Sequence, residues 1–112
     1  MLKDNRIYIE HINQSIDKIQ KFILHVTLEE LAQDEMMQDA IIRNIEVIGE
    51  ASKKNSLEFK IKNDEIPWKE MAGMRDKLIH DYFGVDIEVI WKTIMVDLPR
   101  LKLQIESIIK RY

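Results

Sequence analysis

Residues 66–84, IPWKEMAGMRDKLIHDYFG, decide how this chain is read. Proline is favoured in the first turn of a helix and glycine just past its end, so Pro67 and Gly84 predict one bounded helix between them. At about 100° per residue, Met71, Met74, Leu78 and Tyr82 fall on a single stripe, which is expected to face a core. Arg75 lies on the flank of that stripe, where a plain helix would carry another aliphatic side chain. A charge in that place must pair, reach out to water, or border a cleft.

On either side, apolar residues keep helical spacing. Ile12, Ile16, Ile19 and Ile23 recur in four- and three-residue steps and predict a first helix capped at Asp4 or Asn5 and running to about Leu24. Thr27-Leu28-Glu29-Glu30 is a capping box that opens a short helix to about Ala32, with His25 solvated in the connection before it. Asp34 caps a second long helix, from Glu35 to about Lys54, in which Met36, Met37, Ala40, Ile41, Ile45, Ile48 and Ala51 cover a wide arc. Arg43, Glu46 and Glu50 share a polar face of that helix. That face is either solvated or self-paired, or Glu50 or Arg43 borders a functional cleft. Residues 52–64, SKKNSLEFKIKND, read as a connector with four lysines and a turn-like apolar segment.

Beyond residue 84, Asp86 caps a last helix carrying Ile87, Ile90, Trp91, Ile94, Leu98, Leu101, Ile105 and Ile108. Pro99 removes a backbone donor and is expected to kink or split it. Trp68 and Trp91 read as core or interface anchors. The sum is an all-α bundle of four main helices plus a short one, in a single domain spanning residues 1–112. Three glycines and two prolines in 112 residues fit long helices better than sheet. A formal net charge of −3 excludes a global polyanion-binding field, and the lack of cysteine excludes disulfides, a thiol nucleophile and cysteine metal ligands. No apolar run suggests a leader or a membrane span, so a cytoplasmic protein is expected.

Catalytic residue types cluster in one place, Arg75-x4-His80-x-Tyr82. Arginine offers a permanent charge in a planar fork that matches phosphate oxygens, and histidine exchanges protons near neutral pH. Those groups suffice for RNA cleavage without a metal or cofactor. Geometry complicates the pairing: in a regular helix Arg75 and His80 point about 140° apart, while Arg75 and Tyr82 lie within about 20°. Either the helix ends near His80, or two copies meet across a two-fold axis and share the site. A structural ion pair of Arg75 with Asp76 or Asp81 remains the plainer alternative.

The wording GMRDKLIHDYFGVD resembles the signature of the HEPN superfamily, specifically its HepT-like toxins. Residues 39–51, DAIIRNIEVIGEA, resemble that family's second-helix motif, and Ile66-Pro67-Trp68 and Asp97-Leu98-Pro99 are in its style. The resemblance implies a metal-independent endoribonuclease toxin, of the type VII-like toxin–antitoxin kind, acting as a homodimer on an RNA substrate. It assigns Arg75 to phosphate binding and His80 to proton transfer, with Asp76 in support; Glu50, from the polar face of the second long helix, is expected as a further supporting residue. It also makes Tyr82 the acceptor of adenylate from a nucleotidyltransferase antitoxin of the minimal (MNT) type. The alternative is a non-catalytic helical subunit that positions such a nucleotidyltransferase.

Overall fold

The computed structural model describes residues 3–80 and 84–111, with the side chains of Lys3 and His80 left out. Two twenty-residue helices, α1 (Lys3–Phe22) and α3 (Glu35–Lys54), pack along one another and form the wall on which the rest is built. The isoleucine seam of α1 explains the pairing: Ile9, Ile12, Ile16 and Ile19 are fully buried, opposite Ile41, Ile45 and Ile48 of α3. At roughly 1.5–3 kcal/mol for each fully buried aliphatic side chain, this seam is a main source of the fold's stability.

Between the two helices, His25 adopts a left-handed φ of 66° that turns the chain away from α1. The capping box forms as expected: Thr27 Oγ1 accepts from the Glu30 amide at 3.1 Å, and Glu30 Oε1 accepts from the Thr27 amide at 3.1 Å. It starts α2 (Leu28–Gln33), and Asp34 then caps α3 through the Met37 amide at 2.9 Å. Met36, placed by spacing on the apolar arc, is instead 83% exposed in the first turn of α3.

Three expectations change here. Asn5 does not cap α1. It lies buried inside that helix and exchanges hydrogen bonds with Ser56, Asn5 Nδ2 donating to Ser56 Oγ at 3.2 Å and the Ser56 amide donating to Asn5 Oδ1 at 2.9 Å. The connector after α3 contains a helix of its own, α4 (Leu57–Lys62), capped by Ser56 and held by buried Phe59. The predicted helix over residues 66–84 is two short ones, α5 (Trp68–Ala72) and α6 (Met74–Leu78), broken at Gly73. Even so, Met71 and Leu78 of the expected stripe are fully buried and Met74 packs against the core.

After α6, residues Ile79–His80 form a two-residue strand, β1, paired antiparallel with β2 (Gly84–Val85). Gly84 takes a φ of 81°, a conformation that glycine reaches without a Cβ penalty. Asp86 then caps α7 (Ile87–Lys92) through the Val89 amide at 3.2 Å. The last helix is jointed, as Pro99 foretold. A π-helical turn, Thr93–Asp97, joins α7 to α8 (Leu98–Arg111), with the Leu98 amide donating to the Thr93 carbonyl five residues back. Ile90, Ile94, Leu98, Leu101, Ile105 and Ile108 complete one buried cluster with α1 and α3, so the all-α architecture is the expected one. No helix among the described residues is long and apolar enough to cross a membrane.

Candidate active site

Arg75 is displayed by a close approach between α3 and α5. Gly49 is buried in the C-terminal half of α3, and a Cβ added there would stand 3.2 Å from the Met71 carbonyl oxygen and 3.5 Å from that of Ala72. The missing side chain therefore lets the end of α5 lie directly on α3. The chain breaks between α5 and α6 at Gly73, whose amide donates to the Lys69 carbonyl at 3.2 Å and whose carbonyl accepts from the Asp76 amide at 3.2 Å. Arg75 thus sits in the first turn of a five-residue helix, above buried Met71 and Leu78.

Among the described residues its guanidinium has only a loose partner. Arg75 Nη1 lies 3.5 Å from Asp76 Oδ1, with the two side chains 48% and 80% exposed. Exposed pairs at that distance are worth little, about 0–1 kcal/mol, so the cation stays available to an incoming anion. Arg75 and Asp76 line a pocket of about 200 Å³ with Ala72 and with Glu46, Gly49, Glu50 and Lys53 of α3. The structure thus brings Arg75, Asp76 and Glu50 to one place. Glu50 pairs with Lys53 at 3.5 Å, and among the described residues Arg43 makes no ion pair, so the expected Arg43–Glu46–Glu50 pairing does not form.

The helix carrying Arg75 stops two residues before His80. Ile79 is extended (φ −120°, ψ 126°), and the His80 backbone runs opposite Gly84. The Asp86 amide closes the base of this hairpin by donating to the Leu78 carbonyl at 2.8 Å. Of the two arrangements that the angular argument left open, the first is realised in the backbone: the helix ends before the histidine. The His80 side chain and the whole of Asp81 and Tyr82 lie outside the described residues.

Glu46, Gly49 and Lys53 were not singled out as site residues by sequence reasoning. Gly49 carried a usable signal, since a glycine inside a strongly periodic helix costs about 1 kcal/mol against alanine and calls for a packing reason. A separate cavity of about 290 Å³ opens on another flank of α6, between Met71, Met74, Lys77 and the π-helical turn and α8. Arg75 does not line it.

Over residues 12–108 the chain matches the family described as ribonuclease HepT-like. It is 46% identical over 110 residues to a Thermococcus cleftensis protein named "Probable ribonuclease HepT", covering 98% of this chain and all of that one. A "Putative RNase" of Caldanaerobacter subterraneus is 41% identical over 98% of both chains. In Methanocaldococcus jannaschii, a protein named "Gamma-glutamylcyclotransferase and putative RNase" is 44% identical over 98% of this chain, which spans half of that longer protein. No solved structure matches the chain with significance. With the family's pattern running almost from end to end of an all-α fold that displays Arg75 and ends its helix before His80, the chain belongs to the ribonuclease HepT-like family.

Proposed function

We propose that this protein is a metal-independent endoribonuclease toxin whose site is shared between two copies, and that Tyr82 is its off switch. The available guanidinium of Arg75 carries the reading. It is a half-exposed arginine in a pocket, held there by a close-packed glycine and paired only loosely with its neighbour.

In the reaction, an imidazole, His80 of either copy, takes the proton of a ribose 2′-hydroxyl. The 2′-oxygen attacks phosphorus, and Arg75 offsets the charge that builds on the non-bridging oxygens. The bond to the 5′-oxygen breaks, and that oxygen receives a proton from a second imidazole. The products are a 2′,3′-cyclic phosphate and a free 5′-hydroxyl. Local charge favours a shared site. The pocket of one copy holds three carboxylates, Glu46, Glu50 and Asp76, against two cations, Lys53 and Arg75. A second Arg75 across a two-fold axis would tip that balance toward a phosphate, and a second His80 would supply the other proton transfer. Adenylation of Tyr82 by an MNT-type nucleotidyltransferase would place an anionic phosphate two residues from His80 and exclude the substrate by occupancy and repulsion.

The test is RNA cleavage by the purified protein in the presence of EDTA. Cleavage should persist in the wild type and fall at least about a hundredfold in Arg75→Ala and in His80→Ala. Co-expression with a nucleotidyltransferase partner should add one adenylyl group at Tyr82, seen by mass spectrometry, and silence the activity. Intact RNA at every condition tried, or full cleavage by the folded Arg75→Ala variant, refutes the proposal.

A further inference from the structure

The acidic balance of the chain leaves open where an RNA strand is held once its phosphate reaches Arg75, and a second groove answers this. It measures about 230 Å³ and lies between α1 and α3, lined by Tyr8 and His11 of the first and by Arg43, Val47, Glu50, Ala51 and Lys54 of the second. At about 100° per residue, Arg43, Val47, Glu50 and Lys54 fall within roughly 60° of one another, so they form one rim of the groove. Tyr8 is half-buried and packs against the core, and Lys54 Nζ stands 5.9 Å from the centre of its ring. Arg43 is exposed and makes no ion pair among the described residues, and with Lys54 it outnumbers the one carboxylate on the rim, Glu50, whose exposed pair with Lys53 at 3.5 Å is as loose as that of Arg75.

We infer that this groove is a nucleotide subsite of the ribonuclease, taking an RNA residue beside the scissile phosphate, with Tyr8 facing the base and Arg43 and Lys54 facing backbone phosphate. An aromatic face flanked by cations is the combination that single-stranded RNA requires, because bases stack on rings while the charges track the backbone. Position supports the same occupant. Glu50 belongs both to this groove and to the pocket of Arg75, so the two sites lie on adjoining flanks of α3. A helix is only about 10–12 Å across with its side chains, so a strand passing over its exposed ridge reaches both. An acidic chain can thus hold RNA through a local strip of cations, without a basic net charge.

The inference rests on the ribonuclease reading, and its test separates the two. Wild type, Arg43→Gln/Lys54→Gln and Tyr8→Leu are compared in cleavage of a single-stranded RNA oligonucleotide and in binding of its 2′-O-methyl counterpart across a salt series. Lys60→Gln/Lys62→Gln removes the same charge from α4, outside the groove, and serves as control. The groove variant should raise KM about tenfold with kcat nearly unchanged. Its salt dependence should flatten by about 1.4 in log–log slope, two phosphate contacts at about 0.7 each. Tyr8→Leu should weaken binding without changing the slope, and the control should match wild type. A groove variant indistinguishable from the control overturns the inference while leaving the ribonuclease standing. So does a change in solution mass on light scattering, which would make the groove an interface between protein copies. Wild-type protein that neither binds nor cleaves RNA overturns both.

Discussion

Gly49→Ala tests whether the approach of α3 and α5 positions Arg75. Two opposing terms set its stability effect. Alanine is worth about 1 kcal/mol over glycine inside a helix. Against that, the new Cβ would meet the Met71 carbonyl oxygen at 3.2 Å and that of Ala72 at 3.5 Å. Both are backbone atoms, so no side chain can rotate aside; α5 must move as a unit by a few tenths of an ångström. Overpacking of this kind costs about 1–3 kcal/mol, which leaves a net loss of about 0–2 kcal/mol. For a chain of this size, 1 kcal/mol corresponds to a fall in Tm of about 4 °C. Catalysis should suffer more than stability. Reacting groups tolerate little misplacement, with about 1 Å costing a hundredfold, so the smaller shift of α5 and Arg75 should lower kcat/KM several-fold. Gly73→Ala is the comparison, because a Cβ there meets only the Lys69 carbonyl at an ordinary 3.7 Å. Thermal melts and cleavage rates of both variants decide the matter. If Gly49→Ala is stabilised by the full propensity gain and cleaves RNA at the wild-type rate, the contact is not tight and does not position the arginine.

Asn63→Ala should cost about 2–3 kcal/mol in denaturant melts, because its buried side chain donates to the Phe59 carbonyl at 2.9 Å and accepts from Arg111 at 2.8 Å. Asn63→Asp should not restore the loss, since it turns the donor facing Phe59 into an acceptor; equal stability of wild type and Asn63→Asp would contradict this. Pro99→Ala removes the ring that clashes with the carbonyl four residues back, so the Cα chemical shifts of residues 93–97 should move toward regular α-helical values. Unchanged shifts would assign the π-turn to another cause, such as the bond from Thr93 Oγ1 to the Val89 carbonyl at 2.8 Å. Leu78→Ala, at a fully buried position, should cost about 2–5 kcal/mol. At matched fraction folded it should also lose more cleavage activity than Ile105→Ala, and equal losses would show that Leu78 does not hold the site together.

The long elements were legible because their periodicity and their caps agree. Thr27, Asp34 and Asp86 each accept the predicted backbone amide, and Ile12, Ile16 and Ile19 of α1 and Ile41, Ile45 and Ile48 of α3 are buried as expected, whereas Ile23 lies just past α1 and is partly buried. Asn5 was misread because a capping residue type and a tertiary partner look alike in sequence. Ser56, its partner, is fifty-one residues away. The break in the central stretch was hidden for a related reason. Met71, Met74 and Leu78 keep helical spacing across Gly73, so the apolar pattern survives while the backbone does not. Arg75 and its motif stood out from local residue types, whereas the lining from α3 depends on Gly49, whose role appears only when α5 lies against it.

That break changes what the motif means. In one continuous helix, the fixed pitch would hold Arg75 and His80 about 140° apart, and no adjustment short of a second copy could bring them to a common phosphate. Here the helix of Arg75 ends at Leu78, and two separate restraints take over on either side of that buried residue. Before it, the end of α5 lies on α3 at Gly49 and Gly73 joins α5 to α6, and this sets where the arginine stands. After it, the pairing of Ile79 with Val85 and the bond from the Asp86 amide to the Leu78 carbonyl fix the backbone that leads to the histidine. The relation between the two residues is therefore set by strand register and core packing rather than by helix pitch. The five-residue spacing from Arg75 to His80 spans a helix end and a strand start, with the leucine between them as the joint.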